Sequence, residues 1–277
     1  MRGKKWLILL VSLATILLAS SIGVTSGSFV DLESSSGNTF QAWASRTWVQ
    51  TNQADFDAGV LSNVDTTSSS GDVKLQTTTT TLGNSVNNAG ALTYANDVYI
   101  QIDGYATVPY NGEIISWTYY NAGATSNGAR LEFLSGSGTT WTMMAKSNAV
   151  TITGTNTFTV SIPVQAGWQL GMYTGSASLR YDSSSGTVSR RPSGSGDFNV
   201  GITQSDFSQS GSTRHLALTA VLRYHYSSGT LASQVLDTGV SGARWDALYW
   251  DETLQSNTDI TFAVRASDTL FAKDAAT

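Results

Sequence analysis

The chain has no cysteine, three prolines and only 13% charged residues over 277 positions. Without cysteine there is no disulfide framework, no thiol nucleophile, and no zinc–thiolate or iron–sulfur site. Only His215 and His225 offer imidazoles. The charged fraction is about half the ~25% usual for soluble domains. Ser and Thr take its place and make up roughly a quarter of the chain. The Ala, Glu, Lys and Leu richness of helical bundles and coiled coils is missing. A net charge of −5 excludes a basic nucleic-acid binder. A single apolar run long enough to concern a membrane excludes a polytopic membrane protein. No Asn-x-Ser/Thr sequon is present, which suits a prokaryotic exported protein. What the chain does have is aromatic bulk, with 8 Trp, 11 Tyr and 9 Phe. That is enough for a real core and argues against disorder.

Residues 1–28 read as a signal peptide or membrane anchor. Arg2, Lys4 and Lys5 precede an apolar stretch from Trp6 to Leu18, and small residues from Ala19 to Ser28 follow. The apolar stretch is short for a ~20-residue span. Cleavage is expected after Ser21 or Ser26, and the alternative is an uncleaved anchor helix running on to Val24. Loss of residues 1–28 leaves 12 basic against 20 acidic residues and a net charge of −8. That charge suits an extracellular location and disfavours anionic partners.

Beyond residue 30 the dominant period is two. Val98, Ile100 and Ile102 alternate with Tyr99, Gln101 and Asp103. Ile115, Trp117 and Tyr119 alternate with Ser116 and Thr118. Phe158, Val160 and Ile162 alternate with hydroxyl residues, and Trp168, Leu170 and Met172 with Gln169, Gly171 and Tyr173. The longest series runs through Leu216, Leu218, Ala220, Leu222, Tyr224 and Tyr226. Turn chemistry separates these runs at Asn111-Gly112, Asn127-Gly128, Ser135–Gly138, Ser183–Gly186 and Ser193–Gly196. About eight strands at ~8–12-residue spacing predict an all-β, antiparallel β-sandwich or jelly roll.

Three stretches carry resemblances. Phe29, Asp31, Glu33, Gly37, Asn38, Thr39, Phe40 and Ala42 resemble the mature start of camelysin/TasA-type exported matrix proteins, although Trp43 stands where that family usually has glycine. The resemblance implies export and assembly at the cell surface or in matrix fibres. Asp55, Phe56, Gly59, Asp237, Gly239, Trp245, Trp250, Phe262, Val264 and Arg265 resemble the two halves of a galactose-binding-like β-sandwich module of prokaryotic surface proteins. The halves normally lie close together, and the module normally continues past the arginine strand, so a split and C-terminally truncated module is expected. The intervening residues resemble an uncharacterised exported jelly-roll domain, through Ile114–Tyr120 and Val160–Gly167. The expected organisation is 1–28 as signal or anchor, 29–50 as an extended segment, 51–82 plus 227–277 as the split module, and 83–226 as the inserted domain. None of these resemblances supplies a catalytic residue.

The residues themselves argue against catalysis. A glycosidase needs two carboxylates about 5–9 Å apart across a cleft. Glu132 lies between core-facing Leu131 and Phe133, so its parity predicts an outer-face, solvated side chain. Asp251-Glu252 reads as a turn cap. His215 and His225 are expected on the outward face of one strand with Arg223, and no nucleophile elbow is present. Binding through aromatics that stack on sugars, with polar neighbours to orient hydroxyls, is the better expectation. Trp117, Tyr119, Trp168 and Tyr224 are predicted to face the core, and Tyr99, Tyr173 and Arg223 the opposite side. Trp141, after a Gly-rich tip, is predicted at a rim. Trp141, Tyr173 and Arg223 are thus the candidate ligand-binding residues. No cofactor is expected beyond a structural calcium held by loop oxygens, with Asp182 and Asp197 as candidates. The expected partners are surface glycans or matrix proteins, or further copies joined through strand edges. No nucleic-acid partner is expected, and membrane contact is expected only through the signal or anchor helix. Three roles follow: a non-catalytic adhesion or recognition module, a filament subunit, or the accessory part of a secreted carbohydrate-active enzyme.

Overall fold

The alternating segments become strands wherever their apolar parity can be buried. The computed structural model describes residues 48–85, 91–120, 125–178, 180–182, 186–192, 194–210, 215–240, 247–254, 258–267 and 269. The signal or anchor segment 1–28, the camelysin/TasA-like start and Trp245 lie outside these residues. Every strand pairing is antiparallel among the described residues. The fold is therefore all-β and antiparallel, as the alternation predicts. Its one described helix, α1 (Gln53–Asp57), is a short turn closed by a capping box between Asn52 and Asp55. Among the described residues no helix is long and apolar enough to cross a membrane.

Twelve strands build the body. They are β1 (Thr77–Gly83), β2 (Val98–Gln101), β3 (Gly112–Tyr120), β4 (Ser126–Ser137), β5 (Thr140–Lys146), β6 (Val150–Ile152), β7 (Thr155–Val164), β8 (Gln169–Tyr173), β9 (Val188–Arg190), β10 (Thr203–Gln204), β11 (Ser208–Ser210) and β12 (Leu218–His225). One sheet has the order β7-β3-β12-β1, and the other β10-β5-β4-β8-β2-β9-β11, with β6 on β4. A buried cluster draws on both sheets. Leu82, Trp117, Tyr119, Leu218 and Leu222 come from the first, and Tyr99, Leu131, Phe133, Leu170 and Met172 from the second. Trp117 packs on Phe158 at 4.7 Å between ring centroids. Pro163 sits in β7, an edge strand, where a missing N–H costs no ladder bond.

A second cluster covers the far face of the larger sheet. Val98, Ile100, Leu134, Trp141 and Met143 pack there against Phe198 and Phe207. Those two phenylalanines come from the Gly- and Ser-rich stretch after Arg191. That stretch is pinned by Arg191, whose guanidinium donates to both Asp206 carboxylate oxygens at 2.9–3.3 Å and to the Gly196 carbonyl. All four residues of β2 are consequently buried. This corrects two expectations of parity: Tyr99 is 1% exposed and Glu132 is fully buried. On β2 the roof covers the apolar parity, Val98 and Ile100, so Tyr99 turns into the cluster between the sheets, whereas at Glu132 it covers the polar parity; alternation carries no information about such a covering loop. A third departure lies in β3. Ile114 is buried where Ile115 was expected inward, because the registers of β7 and β12 against β3 both shift beside Ile115. An extra residue in one strand flips the parity on either side of it.

The strand Thr77–Gly83, at the edge of the expected inserted domain, pairs with β12 over its full length. Val60–Ser62 pairs with Thr230–Ala232, which brings the two segments flanking the body side by side. Gly83 has φ +84, and a Cβ there would collide with the Leu218 carbonyl oxygen and lie 2.9 Å from the Leu170 side chain. Gly83→Ala is expected to destabilise the fold by at least about 2 kcal/mol, from left-handed strain plus the clash. Urea denaturation of the two proteins reads this directly as a lowered midpoint.

Candidate functional site

The three sequence-predicted binding residues fall in different places. Trp141 is 3% exposed and packs in the second cluster, with its indole N–H donating to the Gly138 carbonyl at 3.1 Å. It is therefore core rather than rim, because Phe198 and Phe207 roof the sheet face onto which it points. Tyr173 is half-buried beside that roof, and its hydroxyl donates to Asn96 Oδ1 at 3.0 Å. Burial, and next the negative charge of Asp197, hold its phenol above the ordinary value. Arg223 lies on the outer face of the other sheet, as predicted, with half of its side chain exposed.

Arg223 borders a shallow groove of about 340 Å³ lined by Thr77, Gly112, Glu113, Arg223, Tyr224 and His225. Register puts Glu113 directly across from Arg223, and Arg223 across from Thr79. Glu113 accepts from the Ser161 hydroxyl and from the Arg223 guanidinium. Those two contacts, in that order, hold its carboxyl below the ordinary range. The ionised pair therefore stays fixed at neutral pH, with its remaining lone pairs and N–H groups facing water. Tyr224, next to Arg223 along β12 and of opposite parity, packs against the cluster between the sheets, and half-exposed Tyr110 stacks on it at 4.3 Å and 18°. His225 Nδ1 is 2.9 Å from the Leu75 carbonyl. Past the groove one register line runs Thr81, Val221, Ser116 and Thr159, and Thr118 and Thr157 Oγ1 atoms meet at 2.8 Å on the next. The groove supplies hydrogen-bonding groups and fixed charge.

Two charged constellations escaped the sequence reading. His215 was expected outward, yet it is 9% exposed, with Nε2 2.8 Å from Asp103 Oδ2 and its ring edge-on to Tyr105. The long strand of the sequence reading breaks between Leu216 and Leu218, and His215 pairs instead with Asp182 in a small separate sheet. The second lies under the roof. Glu132 and Lys146 are register partners on β4 and β5. Lys146 Nζ donates to Asp197 Oδ2 at 2.8 Å and to the Phe198 carbonyl at 2.8 Å, and Arg130 Nε sits 3.1 Å from the same Asp197 oxygen. Burial, then the charge of Asp197 and a hydrogen bond shared with it, pushes the Glu132 carboxyl well above its ordinary value. Glu132 is thus biased towards its neutral form, and Asp197 Oδ2 lies between Lys146 and Arg130. No sequence signal brings Asp197, in a Gly–Ser loop, to this pair.

Among the described residues no three His, Asp or Glu side chains are grouped to hold a metal ion. Of the two loop candidates for calcium, Asp197 is committed to Lys146 and Arg130, and the side chain of Asp182 lies outside the described residues. No protein-family model, no curated protein and no solved structure matches the chain.

Proposed function

We propose that this is an exported cell-surface or matrix protein whose two sheets form a β-sandwich of jelly-roll type, and that it acts as a non-catalytic adhesion or recognition module for glycans. The observation that carries the reading is the groove at Arg223. A fixed Glu113–Arg223 pair can accept from and donate to neighbouring sugar hydroxyls, with Thr77 and His225 beside it as further polar contacts. The flanking hydroxyl rows of Thr and Ser extend a flat polar surface suited to a polymeric ligand. The charge–apolar–small order of residues 1–28 and the camelysin/TasA-like start support export and a surface or matrix location. A non-catalytic role is supported by the burial of Glu132, which seals the most perturbed carboxyl away from any substrate.

The test is a glycan array with the chain from residue 29, followed by titration of the best hit. Arg223→Ala and Glu113→Gln are each expected to weaken binding about tenfold, in line with loss of a charge-assisted hydrogen bond. Absence of any bound glycan, or unchanged affinity in both variants, overturns the site.

A fibre subunit is the second reading, and a specific observation favours it. Ile260, Phe262 and Val264 alternate, stand exposed and belong to no strand, while β7, ten residues long, is an edge strand among the described residues. Strand addition between copies would use both. An accessory role beside a carbohydrate-active enzyme is the third, and it shares the groove of the first.

A further inference from the structure

Lys146, Asp197 and Glu132 form an arrangement whose chemistry goes beyond a salt bridge. The amine of Lys146 lies 2.8 Å from Asp197 Oδ2. The Phe198 carbonyl takes a second Nζ proton at 2.8 Å and fixes the direction of the amine. Glu132 is the register partner of Lys146, fully buried, with the Asp197 carboxylate close enough to raise its carboxyl. Three oxygens here, Glu132 Oε1 and Oε2 and Asp197 Oδ1, are buried and receive no conventional donor. An acid proton shared between the two carboxyl groups is what this set lacks. Arg130 Nε, 3.1 Å from Asp197 Oδ2, marks that oxygen as the one where negative charge is stabilised.

We propose that Lys146 and Asp197 condense to an intramolecular isopeptide bond, with Glu132 as the proton shuttle. The Nζ atom of Lys146 forms a bond to Cγ of Asp197. Negative charge gathers on Oδ2, against Arg130, and the Cγ–Oδ1 bond breaks. Oδ1 leaves as water. Both protons of that water come from the Lys146 ammonium. Glu132 gives a proton to Oδ1 and recovers one from Nζ twice, first before the bond forms, which frees the Nζ lone pair, and again as the Cγ–Oδ1 bond breaks, so it ends as it began. The starting ammonium and carboxylate become a neutral amide plus one water, and no oxidant, metal or co-reactant is needed.

The physical drive is the same burial that perturbs Glu132. Both reacting groups are largely buried, with side-chain exposures of 16% for Lys146 and 19% for Asp197. A buried ion pair carries a desolvation penalty that a neutral amide does not. Holding the amine against the carboxyl replaces a bimolecular encounter with an intramolecular one. The bond would tie β5 to the loop that roofs the second cluster, in a chain that has no cysteine for a disulfide. It is independent of the glycan reading.

Mass spectrometry of the folded chain tests this. The expected intact mass is lower than the sequence mass by one water. Proteolysis after denaturation is expected to give one branched fragment that joins the Lys146 and Asp197 peptides. Lys146→Arg is expected to restore the full mass and the separate peptides. Asp197→Asn is expected to link as well, with loss of ammonia instead of water. Glu132→Gln, folded by circular dichroism, is expected to stay unlinked. If that variant does not fold, Lys146→Arg and Asp197→Asn decide the case. Full intact mass and separate peptides in the folded wild type, after prolonged incubation, overturn the proposal. So does a branch on another residue, and linkage in folded Glu132→Gln overturns the role of Glu132.

Discussion

The unfolding free energy is expected to fall as pH rises above the ordinary glutamate range, and Glu132→Gln is expected to remove that fall. Glu132 is fully buried, and burial is the first cause of its raised carboxyl, ahead of Asp197. In the unfolded chain the group titrates near its ordinary value of 4.5. Between that pH and the raised native value, the folded state holds a proton that the unfolded state has released. Stability then declines with pH, by up to about 1.4 kcal/mol per unit for one group. Below pH ~4 both states are protonated and Gln is a close isostere, so wild type and variant should coincide there. Towards neutral pH the variant should be the more stable. Asp97 is also raised by burial and adds a slope of the same sign, while Glu113 and Asp206 are lowered and oppose it at acid pH. The difference between wild type and variant isolates Glu132 from all three. Both proteins are best compared in a Lys146→Arg background, so that no covalent tie enters. Urea melts from pH 4 to 8 measure it, and parallel stability curves would sink the assignment of a buried, protonated Glu132.

The largest single loss is expected at Trp117. Its side chain has no solvent exposure, lies in the cluster shared by both sheets and packs on Phe158. Truncation to Ala should cost about 3–5 kcal/mol, the range for large aromatic deletions that the surroundings only partly refill. Trp117→Phe is the informative partner. The indole N–H is buried without a hydrogen-bond acceptor. Phe discards some packing but also discards that unsatisfied donor, so a cost below about 1.5 kcal/mol is expected. Equal losses in the two variants, measured by denaturant midpoint, would show that the packing volume Phe retains contributes nothing at this position and would overturn this account.

The parts of the fold legible in the sequence are those whose burial is one-sided. In β12 and in much of β3 and β7 one parity meets the core and the other meets water, and the alternation reads out correctly. Arg223 was placed on the right face for that reason. The errors share one origin. Tyr99, Glu132 and Trp141 belong to the sheet that is buried on both faces, where polar parity no longer means exposure. The covering segment is rich in Gly and Ser and shows no period, so its two phenylalanines gave no warning. The Arg191–Asp206 and Lys146–Asp197 contacts that hold it span 15 and 51 residues, and no local pattern reports them. Position 115 was misread because a one-residue bulge is set by its neighbours' register rather than by its own sequence.

The pairing of β1 with β12 has a mechanical consequence. Thr77 lies opposite His225 and Gly83 opposite Thr219, so the chain enters and leaves the body at the same end of one antiparallel ladder. A pull on the two flanking segments therefore loads that ladder by peeling. Its hydrogen bonds are strained one after another, beginning at Thr77 and His225, instead of sharing the force as they would in shear. The short Val60–Ser62 and Thr230–Ala232 pair stands ahead of it and parts first. Tension along the chain thus yields at low force from the outside inward, while the strands under the roof of Phe198 and Phe207 remain packed until β12 has been drawn away.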